Sequence, residues 1–217
     1  MQPNEKAAIT LAVKDVRMPT IVELGARGGE DERDLRACFS ESARYVMVEP
    51  DMRNCQLILD APWGRGVFIH TNRRLVLGAI SDHNGTATFY ASQNEAGDRL
   101  SGSIRRPTGH LDFFPNVEFP AELQTVVPCY TLDEIFRREN LEKIDLLWVD
   151  IQGAERDMIA GGQMALSRTR FLFIEAETEE LYEGEALKPD LIALLPGWTL
   201  LEDFGFNLLL RNDRCDL

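Results

Sequence analysis

The chain has 217 residues, of which 44% are hydrophobic and 27% charged, and its formal net charge is −13. That length fits a single α/β domain spanning 1–217 with one sizeable core, and the composition excludes a fibrous or disordered chain. The acidic balance repels polyanions and the basic clusters are short (Arg73 with Arg74, Arg105 with Arg106, Arg137 with Arg138), which argues against nucleic acid as a partner.

In chain order, residues 1–18 begin with a mildly amphipathic helix over Met1 to Val16. Ala7, Ala8, Leu11 and Ala12 lie on one side of it, and Lys6 and Lys14 on the other. No apolar run has the length of a membrane span and the start lacks the pattern of a signal peptide, so the expectation is a cytoplasmic protein that does not engage a membrane. Thr20 to Leu24 reads as a strand, followed by a glycine-rich turn and a helix from Glu30 to Glu41. Tyr45 to Glu49 is the second strand, Met52 to Leu59 a helix, and Leu75 to Ile80 the third strand. Asp82 to Gly85 signals a turn before strand-like Thr86 to Tyr90. Residues 92–124 are irregular, with glycine, proline, Phe113, Phe114 and both charge signs, and read as an excursion on the acceptor side of a site. Ile144 to Val149 and Phe171 to Ile174 are further strands, with a helix from Ala154 to Met164 between them. Trp198 to Phe204 and Phe206 to Leu210 about Gly205 form an antiparallel hairpin. Strands alternating with helices predict an α/β fold, a mostly parallel sheet with helices on both faces.

Cys38, Cys55, Cys129 and Cys215 are widely spaced without a C-x-x-C pair, as expected of reduced thiols. His70, His83 and His110 show no zinc-ligand spacing.

Three features carry a cofactor signature. The turn at Gly25, Ala26, Arg27 and Gly29 lets backbone approach a ligand at a helix N-terminus. Glu49, at the end of the next strand, is placed to accept hydrogen bonds from ribose hydroxyls. Ser81 and Asp82 follow the third strand, where an adenine amine would meet a carboxylate. NAD and S-adenosylmethionine both use such a turn and such an acid. Glu23, two residues before Gly25, favours S-adenosylmethionine, because a carboxylate there suits an ammonium and does nothing for a pyrophosphate.

The stretch Ile144-Asp-Leu-Leu-Trp-Val-Asp-Ile-Gln-Gly-Ala-Glu155, followed by Met158-Ile-Ala-Gly161, resembles the hallmark of the FkbM-type methyltransferases. Asp150, Gly153, Ala154 and Glu155 match the pattern, while Trp148 stands for a Lys and Gln152 for its first Glu. Glu23, Gly25, Ala26 and Gly29 resemble the family's opening motif, with Arg27 in place of the usual Asn. Ser81 with Asp82, Ser101 to Ser103, Thr131 to Asp133 and Phe173 to Glu175 extend the likeness over roughly Ile21 to Arg211. The resemblance implies a Rossmann-like class I methyltransferase fold with a seven-stranded sheet. It also implies S-adenosylmethionine as cofactor, and O-methylation of a hydroxyl on a small molecule, sugar or natural-product scaffold.

Within that reading Asp150, at the end of the fourth strand, is the first choice for the acceptor site, as base, orienting group or metal ligand, and it also counts among the cofactor-binding residues. Glu175, ending the fifth strand, completes an acidic cluster with it. Glu155 and His110 are further catalytic candidates, although an acid in a first helical turn suits the macrodipole alone. A divalent cation between the carboxylates would need more ligands than the sequence names. Ser101, Ser103, Arg105, Arg106 and His110 in the excursion offer donors to a polyhydroxylated or acidic acceptor. A nicotinamide-dependent oxidoreductase and a non-catalytic nucleoside-binding or interaction module are the alternatives, and a homo-oligomer is compatible with all three.

Overall fold

Apolar strand-length runs form the centre of the protein in a computed structural model that describes residues 1–36, 43–61 and 72–215. Seven strands make the main sheet: β1 (Thr20–Leu24), β2 (Arg44–Glu49), β3 (Arg73–Leu77), β9 (Ile144–Val149), β10 (Thr169–Glu175), β11 (Trp198–Asp203) and β12 (Asn207–Asn212). Their order is β11-β12-β10-β9-β1-β2-β3. β1 pairs in parallel with both β2 and β9, and β12 lies antiparallel between β10 and β11. The sequence therefore reads correctly for a mostly parallel seven-stranded class I sheet closed by a C-terminal antiparallel hairpin.

Successive strand residues alternate between two faces, and each face has its own core. Ile21, Tyr45, Met47, Leu146, Trp148, Phe171 and Phe173 pack on one side against Ile9 of α1 (Pro3–Ala12), Leu35 of α2 (Glu30–Arg36) and Ile58 of α3 (Met52–Asp60). Trp148 stacks on Phe173 with ring centroids 4.2 Å apart, which makes it a core residue. Val22, Leu24, Val46, Val48, Leu147, Leu172 and Ile174 face the other layer. That layer is α5 (Leu132–Arg138), α6 (Glu155–Gly161), α7 (Gln163–Ser167) and α8 (Lys188–Ala193). Each such buried aliphatic side chain contributes roughly 1.5–3 kcal/mol, so the strand ends that carry the site are firmly held.

Several elements differ from the sequence reading. The third strand is two pieces: β3 stays in the main sheet, while β4 (Ala79–Ile80) leaves it after Gly78 to pair with β8 (Thr125–Tyr130). β8, which the sequence reading missed, also pairs with β5 (Gly85–Phe89). Its Pro128 lowers the strand signal of an otherwise β-branched run. The first helix ends at Ala12, and the helix expected over Ala154 to Met164 is divided at Gly162 into α6 and α7. The part of the Glu30 to Glu41 helix beyond Arg36 lies outside the described residues, as do Cys38 and His70. Cys55 and Cys129 are buried free thiols.

The excursion is tied down rather than loose. It holds two short paired strands, β6 (Gln93–Asn94) and β7 (Val117–Glu118), a turn of helix α4 (His110–Phe113) and a 3-10 turn at Ala121–Leu123. Arg105 makes a salt bridge to Asp157 of α6 at 2.6 Å, and the amides of Thr108, Gly109 and His110 converge on the Leu181 carbonyl. No helix among the described residues is long and apolar enough to cross a membrane.

Candidate active site

A cleft opens where β1, β2, β3 and β9 end, beside the point at which the strand order reverses. Ligands of open α/β sheets bind at this place. Gly25, Arg27, Glu49, Gly78 to Ile80 and Asp150 to Gln152 make its floor and walls, and Arg99, Leu100 and Gly102 to Ile104 of the excursion form the opposite side.

The floor requires glycine. Gly25 has φ +84°, and a Cβ there would lie 1.7 Å from the Asp150 carbonyl oxygen. The amides of Gly25 and Ala26 both reach the Val48 carbonyl, at 2.9 and 3.1 Å, and Gly29 closes the turn on the Ala26 carbonyl. Arg27 is left-handed at φ 49°, and its amide donates to Glu49 Oε2 at 2.8 Å. The Asp51 amide and Asn54 Nδ2 donate to Glu49 Oε1 at 2.9 and 3.2 Å. These three donors only partly offset burial, which pushes the Glu49 carboxyl up to about 7. Among the described residues, the buried Arg27 guanidinium Nε has no hydrogen-bond partner.

On the facing wall Gln152, left-handed at φ 53°, donates through Nε2 to Asp150 Oδ1 and to Glu175 Oε2, each at 2.7 Å. Its carbonyl accepts from Ser103 Oγ at 2.6 Å. The Tyr182 hydroxyl lies 2.8 Å from both Gln152 Oε1 and the Ser101 carbonyl, two acceptors for its one proton. Burial first, and then the neighbouring Asp150 charge, hold the Glu175 carboxyl well above the usual range.

Of the sequence candidates, Gly25, Arg27, Glu49 and Asp150 line this cleft together, while Ala26 and Gly29 shape the turn behind it. Others are placed differently. Glu23 shares the Ile21 face of β1, beneath α2, where it is fully buried and lines no part of the cleft. Neither of its carboxylate oxygens has a well-formed hydrogen bond among the described residues, and burial raises its pKa well above the usual value. Asp82 does not meet the cleft either. The chain turns into β5 there, Asp82 bonds His83 Nδ1 at 2.7 Å in solvent, and Ser81 Oγ joins the same pair. The backbone at Gly78 to Ile80 forms the wall instead.

Glu155 is buried in the first turn of α6, where it accepts from the Ile151 amide at 3.2 Å. Burial pushes its carboxyl up to about 8. His110, expected among the excursion's acceptor-side donors, is buried among Phe114, Phe119 and Tyr182 with its pKa lowered by desolvation. Arg105 is committed to Asp157 and Ser103 to Gln152, so neither is a free donor. Asn54, Arg99 and Tyr182 were missed. Asn54 was the legible one, lying in the first turn of the helix that follows Glu49. Among the described residues, no group of three or more His, Cys, Asp or Glu is set to hold a metal ion.

Residues 23–208 match the family model described as the methyltransferase FkbM domain. The chain is 35% identical over 205 residues to the 2-O-methyltransferase NoeI of Sinorhizobium fredii (strain NBRC 101917 / NGR234), covering 90% of this chain and 80% of that one. Its fold is similar to the crystal structure of methyltransferase FkbM from Methylobacillus flagellatus KT, with a TM-score of 0.53 and 15% identity. That match covers 90% of this chain, which spans 44% of the length of the solved one. A second likeness, at TM-score 0.50 and 14% identity, is to the O-methyltransferase from Bacillus cereus in complex with SAH, covering 97% and 80% of the two chains. Neither the oxidoreductase nor the non-catalytic alternative gains support from these likenesses.

Proposed function

The chain belongs to the FkbM methyltransferase family, and on that premise we propose that it moves a methyl group from S-adenosylmethionine to a hydroxyl of a small-molecule or saccharide acceptor. The observation that carries the reading is the Glu49 carboxylate on the cleft beside a turn that only glycine fits at position 25. This cradle suits the cofactor. Glu49 would take its ribose hydroxyls, the Gly25 turn its amino-acid end, and the Gly78 to Ile80 backbone its adenine.

S-adenosylmethionine supplies an electrophilic methyl group with its own leaving group, so the protein mainly has to align a nucleophile. An alcohol is a poor nucleophile, and a carboxylate that accepts its hydrogen bond both orients it and takes its proton. Asp150 meets that need, because it lines the cleft next to Gly25 while Gln152 holds one of its oxygens. Arg99, Leu100 and Ile104 lie across from it and would contact the remainder of the acceptor. The 2-O-methyltransferase relative favours a sugar hydroxyl as the acceptor group.

The test is calorimetric titration of S-adenosylhomocysteine into the parent and Glu49→Ala, followed by labelled methyl transfer to a panel of mono- and oligosaccharides. Losing charge-assisted hydrogen bonds to the ribose weakens binding by about 2–4 kcal/mol. Equal affinity of the two proteins overturns the placement of the cofactor.

A further inference from the structure

The Gln152 side chain occupies an unusual position. Its amide nitrogen sits 2.7 Å from an oxygen of Asp150 and 2.7 Å from an oxygen of Glu175, with one hydrogen for each. Two carboxylates that converge on one point repel each other and need a proton, a cation or a fixed donor between them. Hard divalent cations fill such points at oxygen distances of about 2.0–2.6 Å. Here the point is filled by a neutral donor.

We propose that the Gln152 amide takes the seat of a divalent cation between Asp150 and Glu175, so that this acidic pair works without a metal ion and Gln152 is its positioning residue. The inference rests on the reading of Asp150 as the acceptor-side carboxylate. Two contacts hold the residue there. The Tyr182 hydroxyl, 2.8 Å from Gln152 Oε1, favours the amide orientation that turns its hydrogens toward the acids. A flipped amide would set its oxygen against two carboxylates. Ser103 Oγ donates to the Gln152 carbonyl at 2.6 Å and supports a left-handed backbone that a residue with a Cβ adopts only when its surroundings insist. Tyr182 also lies 2.8 Å from the carbonyl of Ser101, so the device is joined to the excursion that faces the acceptor.

The proposal makes a prediction that a purely structural glutamine does not. Gln152→Glu places a third carboxylate on the same point and removes the donor, and Gln152→Ala removes the donor and leaves room. Each variant, with a parent-like thermal midpoint confirmed, is titrated with MnCl2 alone by calorimetry and by electron paramagnetic resonance of the free ion. The parent is expected to bind no Mn2+ up to about 1 mM, the weak end of protein sites for hard divalent ions. Gln152→Glu should bind it at least roughly tenfold more tightly than the parent, because affinity rises with ligand charge. Gln152→Ala should fall between the two and carries the comparison if Gln152→Glu does not fold. Parent binding as tight as that of the variants, or no gain in a folded variant, overturns the proposal. S-adenosylhomocysteine titrated into the parent in parallel keeps the questions separate: failure to bind it overturns the cofactor reading, whereas the Mn2+ comparison alone decides what occupies the seat.

Discussion

The Arg27 amide donates to Glu49 Oε2 at 2.8 Å, which locks the glycine turn after β1 to the end of β2. The proposed cofactor cradle is thus one unit, and burial raises the Glu49 carboxyl within it.

A pH dependence follows. The Glu49 carboxyl is raised to about 7, so between about 4.5 and 7 the folded chain holds a proton that the unfolded chain has released. This group's contribution to stability falls as pH rises through that window. Accepting from ribose hydroxyls needs the ionised form, so S-adenosylhomocysteine affinity should rise about tenfold from pH 6 to pH 8, with release of a proton. Calorimetry in buffers of different ionisation enthalpy measures both. Glu49→Gln should bind weakly and lose the dependence, and a flat affinity for the parent contradicts the assignment.

Gly25→Ala tests the floor. The added Cβ meets the Asp150 carbonyl oxygen at 1.7 Å, and the φ of +84° is itself unfavourable for alanine. The two strand ends must part, at a cost of about 3 kcal/mol or more. The thermal midpoint should drop by about 6–12 °C and S-adenosylhomocysteine binding should be lost. A parent-like midpoint would mean that the turn and the β9 loop are not in contact.

Glu155→Gln separates a structural acid from a catalytic one. The Glu155 carboxyl is raised to about 8, so folding takes up a proton at neutral pH and its stabilising share declines from about pH 4.5 to about pH 8. Glutamine is neutral in both states and avoids that cost, while its side-chain oxygen can still accept from the Ile151 amide. The variant should match the parent near pH 4.5 and exceed it by about 4 kcal/mol near pH 8. Thermal midpoints across pH 5–9 would show it. Methyl transfer should persist, and its loss in a stabilised variant would return Glu155 to the chemistry.

The parts of the site that were legible are those fixed by local chemistry. Gly25, Glu49 and Asp150 each end a strand or open a turn, and the sheet topology brings those points together whatever the distant sequence is. Glu23 was misplaced because its spacing to Gly25 was weighed above strand alternation, which sends it to the same face as Ile21 and Tyr45. Asp82 depended on where the third strand breaks, and that break is made by pairing of β4 with the distant β8. His110 looked exposed because Phe119 and Tyr182, which bury it, approach from separate segments. The Gln152 network needed Tyr182 and Glu175 in the same place, and no local pattern announces such a meeting.

Asp150→Asn is the decisive substitution for the chemistry. Asparagine has nearly the same size, its Oδ1 can still accept from Gln152 Nε2, and the backbone amide at this position bonds the Leu24 carbonyl at 3.0 Å regardless of the side chain. The cleft should therefore keep its shape, and S-adenosylhomocysteine affinity and the thermal midpoint should stay close to those of the parent. What disappears is the negative charge that takes the acceptor proton, so methyl transfer should fall roughly 100-fold or more. Because the loss arises at the nucleophile, raising the cofactor concentration will not restore the rate, whereas an acceptor with a more acidic hydroxyl should recover part of it. Turnover at the parent rate would leave Asp150 as the anchor of the loop between β9 and α6 and move the proton acceptor elsewhere on the cleft.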